Sequence, residues 1–178
     1  MSKISIRNII AAHLRTLKNY DSGRYRPADF ITFFGLPAAA ALLALALGAE
    51  PGDGLNISLT LFAGLTGVSM VGALSLLLRL SSDAHANACS QTSFSSTRLK
   101  LIAESHANVS FALLVSVLLA TAAIFSAVFA QPAGAPAPAV LSRSALFLCV
   151  YLAANLLLTI MMVLRRLSVL LQKQLEAD

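Results

Sequence analysis

Charge is what this sequence has least of. Of its 178 residues only 12% are charged, while 57% are hydrophobic. A soluble domain is about a quarter charged and about half apolar. With half the usual charge, the chain has too little polar surface to cover a water-soluble globule, and a bilayer is the alternative solvent. A mean hydropathy of +0.78 points the same way. Tryptophan is absent, so any aromatic belt at a membrane surface has to come from Tyr and Phe. The two cysteines, Cys89 and Cys149, fall in no paired spacing, which argues against a disulfide scaffold. Carboxylate pairs, a Ser-His-Asp set and a phosphate-binding glycine loop are missing too. The chain therefore reads as non-enzymatic and cofactor-free.

What is present is long apolar runs. A hydrocarbon core of ~30 Å needs roughly 20 apolar helical residues. Four windows meet that length: Phe30 to Ala49, Ile57 to Leu78, Val109 to Ala130 and Ala145 to Leu164. None contains Asp, Glu, Lys, Arg or His. The first is preceded by 29 residues, too many for the n-region of a signal peptide, and its core exceeds the usual ~7–15 residues, so it reads as a retained span.

The basic residues set an orientation. Lys3, Arg7, Arg15, Lys18, Arg24 and Arg26 precede the first window. Arg79, Arg98 and Lys100 lie between the second and third, and Arg165, Arg166 and Lys173 follow the fourth. The other two loops hold Arg143 alone, against Glu50 and Asp53. The expectation is an all-α integral membrane protein of the cell inner membrane, multi-pass, with four transmembrane helices and both termini cytoplasmic. Residues 1–28 form a cytoplasmic amphipathic helix and linker. Residues 29–178 form the four-helix transmembrane domain, with a cytoplasmic helical hairpin at about 79–108.

The cytoplasmic pieces are patterned as helices. Ile6, Ile9, Ile10, Leu14 and Leu17 make one face, with Arg7, Arg15 and Lys18 off it. Such a helix either lies in the headgroup layer on anionic lipid or packs on its neighbours. Leu74, Leu78, Ser81, His85 and Ala88 fit a heptad-like seam leaving the second span. Leu99, Ile102, His106, Val109 and Leu113 fit one entering the third. With a turn near Ser95 and Ser96, the repeated His-Ala-Asn, at His85 and His106, falls at similar height on two facing arms. The fourth helix continues through Leu167, Leu171 and Leu175.

Candidate sites are few. His85 and Cys89, spaced i and i+4, and His106 across the hairpin supply part of a zinc set, with no fourth ligand evident. The same histidines read alternatively as a pH-sensitive contact. The leading reading is a polar layer that fixes helix register, with Asn87 and Asn108 bonding across the hairpin or near its base. Ala63, Gly64, Gly67 and Gly72 offer a close-approach surface on the second helix, and Asn155 reads as helix-to-helix glue. Pro37 should kink or loosen the first span near its cytoplasmic end. Arg7, Arg15, Lys18, Arg165 and Arg166 are placed to meet lipid or a protein partner. The basic residues are spread over three segments, as orientation already demands, so direct nucleic-acid binding is not expected.

The hairpin from about Ser69 to Ala130, with its entry RLKLIAESHANVSFALLVSVLLA, resembles small helical transmembrane effectors of bacterial anti-phage defence. That resemblance rests on pattern and implies a homo-oligomer that perturbs the inner membrane on a cytoplasmic signal. It carries over no residue role. The functional expectation is a channel-like effector or the membrane subunit of a cytoplasmic partner complex. The alternatives are a small-molecule transporter or membrane enzyme using the His/Cys site, and a passive anchor for a soluble partner.

Overall fold

The structure, a computed structural model, describes residues 6–16, 27–49, 53–87, 94–130 and 139–175. The elements are α1 (Ile6–Thr16), α2 (Pro27–Phe30), a π-helical turn (Ile31–Gly35), α3 (Leu36–Ala46), α4 (Asp53–Asn87), α5 (Phe94–Ala130) and α6 (Ala139–Leu175). The described residues are helical apart from a short cap after α3. The helix α5 is central: α4, α6 and α1 all pack on it, while α3 packs on α6.

Three segments are long and apolar enough to cross a membrane: Gly54–Ser82, Leu99–Val128 and Arg143–Val169. The fourth expected span is shorter, an apolar helix over Ile31–Ala46. Its end has a local cause. Gly48 takes φ 70, and the Gly48 and Ala49 amides donate to the carbonyls of Leu45 and Ala44 at 3.1 and 3.0 Å. This is a Schellman cap, which stops the helix while pairing its last carbonyls.

The π-helical turn also has a local cause. Pro37 has no amide proton and its ring crowds the carbonyl four residues earlier, that of Phe33. The backbone stays right-handed through Phe30, Gly35 and Leu36 (φ −67, −74 and −63), so the helix widens for one turn without breaking. Asn155 Nδ2 on α6 donates to the Phe33 carbonyl at 3.4 Å.

A seven-residue repeat organises the core. On α4 the buried positions Asn56, Ala63, Met70 and Leu77 recur every seven residues. On α5 the two rows are Ile102, Val109, Ser116 and Ala123, and Ser105, Ala112, Leu119 and Ser126. On α6, Cys149, Leu156 and Val163 repeat likewise. This is coiled-coil geometry with small residues at the seam, the way membrane helices gain contact when solvent offers no hydrophobic drive. The outer faces carry Leu65, Val68, Phe125 and Met161, all exposed. Hydroxyls on them are satisfied within their own helices: Ser69 donates to the Leu65 carbonyl at 2.9 Å and Thr121 to that of Val117 at 2.8 Å.

The expected seam is displaced. Leu77 is buried and Leu78 exposed, and on α5 it is Ser105 that is buried, while His106 is exposed. The expected frame was right at Ile102 and Val109 and wrong between them. Both stripes repeat every seven residues, but the second row lies three residues after Ile102, at Ser105, and not four, at His106. Ser95 and Ser96, where a turn was expected, lie in the first turn of α5; residues 88–93 lie outside the described residues. His85 is thus two residues from the end of α4, while His106 lies twelve into α5, about 18 Å along its axis. The two copies are not at matching heights.

The glycines on α4 divide by face. A Cβ on Gly67 would sit 3.4 Å from Ser116 Oγ, whereas Gly64 and Gly72 meet nothing within 4 Å. Gly67→Leu should therefore overpack the α4–α5 seam and cost about 1–3 kcal/mol, with Gly64→Leu near neutral. Unfolding midpoints of the two variants in detergent check this. Equal destabilisation would place the α4 face wrongly.

Candidate functional site

The densest polar arrangement lies where the end of α1 meets the first third of α5 and the last third of α6. His13 is fully buried. Its ring stacks on Phe111 at 3.9 Å between centroids, with 2° between planes, and meets Phe33 of the π-helical turn at 5.0 Å. Its Nδ1 lies 2.8 Å from Asn108 Oδ1. Thr16, one turn on, places its hydroxyl 2.8 Å from the same oxygen and 2.7 Å from the His13 carbonyl. Asn108 is itself fully buried.

Two proton arrangements fit these three contacts. With Asn108 Oδ1 facing in, His13 Nδ1–H and the Thr16 hydroxyl both donate to it, and the His13 carbonyl loses the hydroxyl proton. With the amide turned over, Thr16 donates to the carbonyl, and the amide NH2 donates to both Thr16 and His13 Nδ1. The second arrangement pairs all three contacts, and amide oxygen and nitrogen are interchangeable by that flip. In both, the imidazole carries one proton and no charge.

Burial explains why. Loss of water around the ring lowers the His13 pKa from 6.5 to about 4; the Asn108 contact opposes the shift and the Arg166 charge adds to it. An asparagine partner accepts a neutral ring, where a carboxylate would favour the charged one.

Arg166 closes the arrangement. Its Nη2 donates to the Thr16 carbonyl at 3.0 Å. Thr16 ends α1, so the guanidinium caps an orphan carbonyl at the negative end of that helix. Its Nη1 lies 3.1 Å from Glu104 Oε2 on α5 yet makes no aligned hydrogen bond. The contact is an ion pair by distance, worth at most about 1 kcal/mol at this exposure. Arg166 was expected to face lipid or a partner; its side chain is 19% exposed and serves inside the chain instead. Arg7, Arg15 and Arg165 are exposed. Lys18 and Cys89 lie outside the described residues, as do the side chains of His85 and Asn87.

Among the described residues no three of His, Cys, Asp and Glu come together. His106 is exposed on α5, and Cys149 is packed in the apolar core. Asn108, expected to bond across the hairpin, bonds α1. The site contains neutral imidazole, amide, hydroxyl and one ion pair, sealed from water at the ring. That chemistry holds a helix in place. An open apolar furrow of about 430 Å3 lies between the far ends of α4 and α5, with Asn56 and Thr60 as its polar lining and no titratable group.

Sequence reasoning passed over His13, Thr16 and Phe33. One signal was there: His13 is seven residues after Ile6 and three after Ile10, so it sits inside the apolar stripe of α1.

The neutral ring makes α1 docking pH-dependent. The docked pKa lies below the free value, so the free segment binds the extra proton. Docking is complete above about pH 6.5 and weakens as pH falls toward about 4, by on the order of 3 kcal/mol in total. Spin labels at Ile10 and Val169 should give a narrow distance distribution at neutral pH that broadens on acidification. His13→Phe should remove most of that dependence. A width independent of pH in the parent chain would contradict the burial.

No family model matches this chain, and no curated protein or solved structure matches it.

Proposed function

We propose that the chain is a four-span inner-membrane protein, both termini cytoplasmic, that works without catalysis as an oligomeric, channel-like effector. The observation that carries this reading is helix length. The helices α4, α5 and α6 have 35, 37 and 37 residues, about 50–55 Å each, against a hydrocarbon core of ~30 Å. The surplus of α5, from Phe94 to Asn108, and that of α6, from Arg165 to Leu175, lie at the end where Arg166 meets Glu104 and α1. A layer of helices outside the bilayer is therefore tied together by named contacts, as an apparatus for receiving a cytoplasmic signal requires. The fourth span is the continuous helical path Pro27–Ala46, 20 residues or about 30 Å.

Among the described residues, Leu119, Ala123, Leu156 and their neighbours fill the space between the helices of a single copy. A conducting path in this reading lies between copies. The exposed Gly64 and Gly72 let a second helix approach α4 closely, and the anti-phage effectors that the hairpin resembles supply the setting of membrane perturbation. The same cytoplasmic layer favours a second reading, the membrane subunit of a cytoplasmic complex.

Purified chain in proteoliposomes distinguishes these. The effector reading expects a defined oligomer by native mass and release of trapped ions, both reduced by Gly64→Leu. A monomer that releases nothing contradicts it. A monomer that co-purifies with one cytoplasmic protein transfers the case to the second reading.

A further inference from the structure

The exposure of α1 is inverted relative to what a simple docked amphipathic helix shows. Its buried residue is a histidine, while Ile6 and Ile10, on the same face, are 60% and 38% exposed. Only the last turns of α1 are covered by the bundle. The apolar stripe that His13 interrupts continues outward through Ile10 and Ile6, which the described residues leave increasingly uncovered.

The contacts of His13 fix the height of this uncovered stripe. Phe33 and Phe111 lie just inside the apolar runs of the first and third spans. A ring held between them sits where those spans enter the hydrocarbon. Thr16 reaches toward Arg166, which also holds Glu104 on the outer side of Asn108. Thr16 is therefore on the outer side of His13, and the stripe continued by Ile10 and Ile6 leaves His13 at the level where the spans begin. Arg7 and Arg15 are exposed and off the stripe.

The geometry points to α1 as an interfacial helix that binds anionic phospholipid, with Ile6 and Ile10 at the acyl boundary and Arg7 and Arg15 on headgroup phosphates. This rests on the four-span, cytoplasmic-termini reading. Charge selects the occupant. Isoleucine beside arginine, held at the depth where headgroups begin, matches a leaflet that is apolar on one side and anionic on the other. Arginine stems reach past the isoleucines to the phosphates. His13 acts as a depth pin: it holds one end of the helix to the bundle so that the other end meets lipid at a fixed level.

The test uses the full chain with Cys89→Ser and Cys149→Ala, a single cysteine at Ile10 carrying an environment-sensitive fluorophore, and nanodiscs. The discs are phosphatidylcholine alone or an equal mixture with phosphatidylglycerol. The label should emit at short wavelength and be quenched by lipids brominated near the headgroup end of the chain, more in the anionic discs. A label at Arg15 should report water. Arg7→Gln and Arg15→Gln should each lower phosphatidylglycerol retention in native mass spectra about fivefold. A label at Ile10 that reports water in anionic discs overturns the proposal, as does one shielded by a co-purified protein instead of lipid. Alkaline extraction separates the two levels of failure. A chain released by carbonate sinks the membrane-spanning reading itself. A chain that stays integral while Ile10 reports water sinks only the role of α1.

Discussion

Everything at the α1 end of the molecule depends on one buried, uncharged imidazole. His13 joins three elements at once: its own helix, the π-helical turn through Phe33, and α5 through Asn108 and Phe111, while Arg166 of α6 bonds Thr16 one turn on. A buried charge would cost several kcal/mol unless paired, so the ring stays neutral and takes an amide for a partner. Phe33 completes the circuit. Its ring touches His13 while its carbonyl, deprived of a donor by Pro37, takes the Asn155 amide. A single proline thus creates the irregular turn that positions a ring on one side and frees an acceptor on the other. Removing the imidazole would leave α1 held chiefly by Arg166, whose ion pair is partly in water.

The rest of the bundle is built for a different solvent. Small or hydroxylated residues alternate with larger ones along the seam: Ala63, Thr66, Ala112, Ser116, Ala123 and Ser126 lie among Met70, Leu77, Val109 and Leu119. Stability there comes from close approach and dispersion, because lipid offers no hydrophobic drive between helices. Hydroxyls such as those of Ser116 and Thr159 bond backwards to their own helices, and Asn155 Nδ2 bonds across to a neighbour, while, among the described residues, Ser105 Oγ and Asn155 Oδ1 are buried without a partner. Two regimes therefore share one chain. A seven-residue apolar repeat runs through the spans, and a polar cluster gathers just beyond them, with the change occurring between Asn108 and Ala112 on α5.

Much of this was legible because the signals are long. Apolar windows without a charge give the three long helices directly, and Gly48 and Pro37 mark where the first helix ends and widens. The site was less legible. Its members come from residues 13, 33, 104, 108 and 166, and no local spacing joins them. The repeated His-Ala-Asn drew attention to His85 and His106 as a pair. Among the described side chains of that repeat, Asn108 is the one bonded across helices, and its partners are on α1. The seam frame slipped at His106 because α5 is covered on three sides, by α4, α6 and α1. A helix so enclosed buries Ser105 and Asn108 beside Val109, and one apolar stripe no longer describes it.

The account stands on the ionisation state of His13. The direct measurement is the 15N spectrum of histidine-labelled protein in lipid at pH 5.5, on a variant with His85→Gln and His106→Gln so that His13 is the one histidine present. The account predicts two well-separated ring nitrogen signals, one protonated and one bare, as a neutral imidazole gives. Two protonated nitrogens with nearly equal shifts would show a charged ring in contact with water. The contact that holds α1 to the bundle would then not exist.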